Sequence, residues 1–247
     1  MNAEFPIHLV LLPGLDGTGL LFAPLLDFLP PWVSPVVISY PTDRALDYDQ
    51  LLPLVKKRIP AHGRYILLGE SFSGPIAIRL AAELPEQLIG LILVATFVSS
   101  PVAAIFGALR GLFANRLLFA IDPPRGVVRR LLLDATAPPN LVSLVTGAVG
   151  GVRGAVLAAR VRMVLAVDVS VAMSRCVVPV LYIMAGRDRV VRKDTVMKLT
   201  GCRPGISVAT ISAPHLLLQR EPALCGEIIE EFLHRLVPGA PGADRER

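Results

Sequence analysis

Residues 64–84 read RYILLGESFSGPIAIRLAAEL, and this stretch decides the fold. Its first part, 64–68, is a short apolar run ended by Gly69, the pattern of a buried strand. Its last part, 75–84, is predicted to be a helix with Pro75 in the first turn, where a missing N–H costs no hydrogen bond. Between them lies GESFSG, Gly69–Gly74. A G-x-S triplet alone says little in a chain this rich in glycine and serine. Its place between a strand and a helix carries the information. A sharp turn there needs small neighbours, and it lifts the Ser71 hydroxyl above the end of the sheet. The following helix would offer free N–H groups and the positive end of its dipole to an oxyanion forming at that serine.

The same alternation extends in both directions. Upstream, 7–12 is an apolar run ended by Pro13-Gly14, and Gly14, Gly17 and Gly19 give the next loop unusual backbone freedom. Residues 20–29 are predicted as a helix, 35–40 as a strand, and 47–59 as a helix with Leu51, Leu52, Val55 and Ile59 on one face. Downstream, 88–94 is a fourth strand. The rhythm then stops, and 101–175 is helical in pattern throughout, broken at Pro138-Pro139. It resumes with a strand at 177–185, a helix at 193–200, a strand at 206–211 and a helix at 223–236. Strands alternating with helices predict a mostly parallel sheet of about six strands covered on both faces. The domain plan is a core of 1–100 and 176–237, a helical cap at 101–175 and a disordered tail at 238–247. The first and third strands should lie side by side where the strand order reverses.

Composition sets limits on function. The chain has 247 residues, 53% of them hydrophobic and 18% charged, with a net charge of +5. The basic character sits in one place: 101–175 carries nine arginines, no lysine and three aspartates. Arg110, Arg129 and Arg130 could attract an anionic lipid surface or an acyl carrier, although a solvated helix face explains them as well. No nucleic-acid partner is expected. Three cysteines without CxxC spacing argue against a disulfide framework, and the first residues read as a strand and not a signal peptide, so the expected location is the cytoplasm. No His/Asp/Glu cluster has metal-ligand spacing, so no metal or cofactor is expected.

With Ser71 placed, two further residues fall into order. Asp188 lies in AGRDRVV just after the fifth strand, and His215 lies in SAPHLLLQREP just after the sixth. Each follows the C-terminal end of a strand, where open α/β sheets place their ligands. In the sequence order Ser71, Asp188, His215, and over about 5–237, the chain resembles the α/β-hydrolase superfamily, and within it serine carboxylesterases. It departs from that pattern twice. Ser73 stands where the elbow's second glycine is usual, and Pro13-Gly14 stands for the usual His-Gly of the oxyanion loop. Bacterial esterases and plant acyltransferase-like proteins carry loops similar to LPGLDGTG.

The resemblance implies roles. Ser71 would be the nucleophile, His215 the base that takes its proton, and Asp188 the group that holds the imidazole's tautomer. The backbone N–H groups of Leu15 and Phe72 would bind the tetrahedral oxyanion. Asp16 reads as a turn residue or a source of pocket polarity, and Glu70 as a partner for a nearby base or a tuner of His215. His8, His62 and His234 read as structural. The apolar cap suggests a small to medium apolar acyl ester as substrate, and Gly147, Gly150, Gly151 and Gly154 would allow it to move. A thioesterase or acyltransferase would use the same residues. A non-catalytic ligand-binding protein of the same fold is the reading from another class. An aspartate-nucleophile enzyme is disfavoured by serine at 71.

Overall fold

The computed structural model describes residues 7–83, 86–101, 126 and 130–241. The helical pattern expected over 105–113, together with Arg110, Arg116, Arg125, Arg129, Val127 and Val128, lies outside the described residues.

Six strands form one sheet: β1 (Ile7–Leu12), β2 (Val33–Val37), β3 (Tyr65–Glu70), β4 (Leu88–Val94), β5 (Val180–Ala185) and β6 (Ser207–Ile211). Their spatial order is β2-β1-β3-β4-β5-β6, and every neighbouring pair is parallel. The expected neighbours β1 and β3 pair with Leu9 opposite Ile66 and Leu12 opposite Gly69. The strand order reverses there, so the loops after β1 and β3 open into one crevice.

Side chains alternate across the sheet as the strand period requires. Val10, Leu12, Leu67, Leu91 and Leu93 face one way and pack on α2 (Tyr48–Lys56) and α3 (Gly74–Ala82). Leu9, Leu11, Ile66, Leu68 and Ile92 face the other way, against α1 (Ala23–Leu26) and the terminal helix α9 (Pro222–Leu236). Burying continuous aliphatic strands on both faces is the main stabilising term, at about 25 cal/mol per Å² of apolar surface removed from water.

Three elements differ from the pattern expected from sequence. The helix expected over 20–29 is a 3-10 turn, Leu20–Phe22, followed by the short α1, with Pro24 in its first turn. The second strand starts at Val33 and runs through Pro35, which is tolerated because β2 is an edge strand. The third strand continues through Gly69 to Glu70. A Cβ at Gly69 would lie 2.8 Å from the Ala77 Cβ, so this glycine lets α3 cross the strand end closely.

After β4 the chain leaves the sheet and returns past a short antiparallel stitch: Val169 N–H donates to Val98 C=O, and Ser100 N–H to Val167 C=O. The described part of the insertion includes α4 (Pro139–Gly150) and α5 (Gly154–Ala166). Pro138 and Pro139 open α4 as N-cap and first residue. The next helix, α6 (Ser170–Arg175), packs against α3 and against α7 (Thr195–Cys202), and its Met173 is buried in the core. Beyond Val237 the chain stays folded to Ala240, which is buried beside α9. Among the described residues no single helix is long and apolar enough to cross a membrane. All three cysteines are free thiols.

Candidate active site

Ser71 sits at the junction of β3 and α3 with φ 47°, a left-handed conformation that disfavours an L residue other than glycine. The surroundings hold that strain in place. Thr96 Oγ1 donates to the Ser71 carbonyl at 2.5 Å, and Tyr182 Oη donates to the Thr96 carbonyl at 3.1 Å. Thr96 is fully buried, follows β4, and comes after Ala95, the other described non-glycine residue with positive φ. Ser73, which replaces the usual glycine, keeps the turn tight. Its hydroxyl donates to the Pro13 carbonyl and shares a hydrogen bond of 2.7 Å with Tyr40 Oη. It thereby joins the elbow to the loop after β1.

The three residues singled out from sequence meet at the strand ends. Ser71 Oγ lies 2.9 Å from His215 Nε2, and His215 Nδ1 lies 2.8 Å from Asp188 Oδ2. The Asp188 and His215 side chains are 4% and 5% exposed. The other carboxylate oxygen of Asp188 accepts the Val190 and Val191 N–H groups at 2.7 and 2.9 Å. An ionised carboxylate only accepts, so the imidazole proton belongs on Nδ1 and Nε2 is left to accept from the serine.

Phe72 is buried, stacked on Tyr48 at 5.1 Å and edge-on to Tyr40, and its carbonyl accepts from Tyr48 Oη. Leu15 lies in the facing loop. Among the described residues no loop or turn hydrogen bond engages the Leu15 or Phe72 N–H. Asp16 is buried, and its carboxylate accepts from the Thr18 N–H and hydroxyl, which makes it a turn residue.

Glu70 is also buried. It bonds Gln219 Nε2 at 2.9 Å and the Gly14 N–H. Burial above all, with help from the Asp16 charge, pushes its carboxyl up to about 7, against the pull of Gln219, His215 and Gly14. The Gln219 Oε1 is buried without a partner among the described residues. The folded pKa lies above the unfolded value of 4.5, so the native state binds more protons between those two values and stability falls as pH rises through that window. Glu70→Gln removes the charge. It is expected to raise unfolding free energy by roughly 1–3 kcal/mol at pH 8.5, shrinking toward zero at pH 5. Urea titrations at the two pH values measure this, and an equal effect at both would reject a neutral preference at Glu70.

Two neighbours of this cluster carry no sequence signal. Thr96 belongs to no motif, and Arg160, one of the nine arginines of 101–175, is buried and not on a solvated face. Its guanidinium reaches the carbonyls of Leu15, Asp16 and Pro41. Arg130 is exposed and its carbonyl accepts from Arg189. The described part of the insertion also touches the loops that carry the other two residues. Leu216 N–H donates to the Leu132 carbonyl, and Arg187 and Arg220 both pair with Asp134.

The parallel sheet, the serine at the tight turn after β3 and the histidine after β6 define the class of fold, which is that of the α/β-hydrolases. Solved structures agree. The chain is similar to an enol-lactonase from Burkholderia xenovorans LB400, at 16% identity and a TM-score of 0.77 over 94% of this chain and 93% of that one. It is similar to a structure from a study of carboxylesterases of Nitrososphaera gargenis, at 13% identity and a TM-score of 0.78 over 96% and 93% of the two chains. It is also similar to a lipase-esterase related protein from Clostridium acetobutylicum, at 12% identity and a TM-score of 0.75 over 94% and 96%. At such identities the likeness establishes the fold. No protein-family model matches the sequence, and no curated protein matches it.

Proposed function

We propose that this chain is a serine carboxylesterase that cleaves esters through an acyl-serine, with Ser71, His215 and Asp188 as its catalytic residues. The observation that carries the reading is the continuous hydrogen-bonded line from Ser71 Oγ through the His215 ring to Asp188. His215 Nε2 takes the Ser71 proton as Oγ attacks the ester carbonyl. The resulting oxyanion is held by the Leu15 and Phe72 N–H groups. The protonated Nε2 then gives its proton to the departing alkoxide, and the alcohol leaves. A water attacks the acyl-serine with the same histidine as base, releasing the acid. Asp188 holds the ring in the productive tautomer and stabilises the imidazolium without taking its proton.

An apolar acyl group fits the surroundings. Leu216, beside the histidine, packs with Leu141, Val142 and Val145 of α4, and Leu15 packs against Val156 and Leu157 of α5. The three free thiols accord with a reducing compartment such as the cytoplasm.

A fluorophosphonate probe tests the reading. Wild-type protein is expected to be labelled at one serine, and labelling is expected to vanish in Ser71→Ala with the fold intact by circular dichroism. A folded wild-type protein that takes no label would overturn the proposal. A series of p-nitrophenyl esters of increasing chain length, with acyl-coenzyme A alongside, then ranks ester against thioester. Faster turnover of the thioester would make the chain a thioesterase on the same chemistry.

A further inference from the structure

Arg160 comes from α5 of the insertion, yet its three bonded partners among the described residues lie in the core. Nη1 donates to the Leu15 carbonyl at 2.8 Å and the Asp16 carbonyl at 2.6 Å, and Nη2 donates to the Pro41 carbonyl at 2.9 Å. The guanidinium also lies 5.8 Å from the centres of the Tyr40 and Phe72 rings. It is 2% exposed, and no carboxylate pairs with it within salt-bridge distance among the described residues. Taking a cation out of water to bond only carbonyls is expensive, and a surface arginine would serve to attach a cap at far less cost.

Peptide planarity makes the consequence specific. The Gly14 carbonyl and the Leu15 N–H share one rigid plane and point in opposite directions. That carbonyl accepts from the Gly17 N–H at 3.0 Å, which turns the Leu15 N–H outward. The next plane holds the Leu15 carbonyl, and the one after it the Asp16 carbonyl; Arg160 takes both. The Gly17 carbonyl accepts from the Tyr40 N–H at 2.7 Å and pins a fourth plane. With the planes on both sides of Leu15 fixed, its N–H has one direction left. The glycine at 17 follows from the same contact, since φ is +69° and a Cβ would sit 2.5 Å from Arg160 Nη1.

We propose that Arg160 is a positioning residue of the oxyanion hole: from the cap it locks the Leu15 and Asp16 peptides so that the Leu15 N–H stays aimed at the oxyanion formed on Ser71. This rests on the catalytic reading above. Preorganised donors matter most in the transition state, so the loss should appear in kcat and not in ground-state binding. Lysine keeps the charge but brings one nitrogen in place of the flat fork, and cannot span the three carbonyls as arginine does.

The test measures ester hydrolysis by wild type, Arg160→Lys and Arg160→Ala, each normalised to the Ser71 titre obtained with fluorophosphonate. In both variants kcat per titrated site is expected to fall 10–100-fold while KM stays within threefold. An alkylboronic acid, which forms a tetrahedral adduct on the serine, should weaken as an inhibitor in proportion to kcat/KM. Methylguanidinium should restore part of the Arg160→Ala rate and leave wild type unchanged. Unaltered kcat per site in Arg160→Lys, or kcat and boronate affinity that do not move together, would overturn the proposal. Should Arg160→Ala not fold, Arg160→Lys alone carries the test. Absence of labelling and turnover in wild type would instead remove the catalytic reading, so the two failures are distinct.

Discussion

His215→Ala is expected to lower kcat for a p-nitrophenyl ester about 10⁴-fold or more while leaving the protein folded. The size follows from what the ring does. Without a base, the Ser71 hydroxyl faces the ester at its ordinary acidity and is a weak nucleophile. The donors of the oxyanion hole would survive, and in enzymes of this mechanism such donors and binding leave a residual rate of about 10³–10⁴ over water. The fold should survive because, among the described residues, the ring bonds only Ser71 and Asp188, and Asp188 keeps the Val190 and Val191 N–H groups on its other oxygen. Asp188→Asn is the informative companion. Its amide can present an N–H to Nδ1, which places the imidazole proton on Nε2 and removes the acceptor for Ser71; a loss near 10⁴-fold is expected there too. Steady-state rates on protein of verified melting temperature measure both. Turnover of His215→Ala within tenfold of wild type would reject His215 as the base.

Much of this arrangement is legible in the sequence, because strand ends are punctuated locally. The apolar runs of β1, β3 and β4 stop at Pro13, at the Ser71 turn and before Ala95, and chemistry in a parallel sheet gathers at those ends. Ser71, Asp188 and His215 could therefore be placed together before any coordinate. What stayed hidden depends on contacts distant in sequence. Arg160 lies 145 residues from Leu15 and in sequence looks like any other arginine of the insertion. Its burial shows only once α5 is laid across the loop after β1. Thr96 is 25 residues from Ser71, and nothing in its neighbours marks it as the donor to the elbow carbonyl. The short first helix is hidden for a related reason. Apolar periodicity continues through 20–29, but Pro24 has no N–H to carry a helix on from Leu20, so α1 starts only there, and the turn in which Phe28 N–H reaches the Leu25 carbonyl ends it.

Gly74→Ala is the substitution expected to harm stability most among the glycines of the elbow. A Cβ there would lie 2.5 Å from Thr96 Cγ2 and 2.6 Å from Thr96 Cβ, distances that real Cβ atoms do not tolerate. Rotating the threonine cannot relieve this, because its own Cβ is part of the clash. Either α3 or the segment after β4 must shift within a region of fully buried side chains, where overpacking costs typically 1–3 kcal/mol and sometimes more. A loss of about 3 kcal/mol or more is expected. The helix propensity gained by alanine, at most about 1 kcal/mol, does not offset it. The displacement also reaches Ser71, since Thr96 Oγ1 holds its carbonyl, and on the proposed mechanism kcat should fall in whatever fraction stays folded. Gly147→Ala is the matched control. It lies inside α4 with nothing within 4 Å of the added carbon, and the same exchange should stabilise by about 0.5–1 kcal/mol. Urea unfolding of the two variants separates the explanations. Opposite signs support a steric limit set by Thr96, whereas a neutral Gly74→Ala would mean that the elbow and Thr96 can move apart freely.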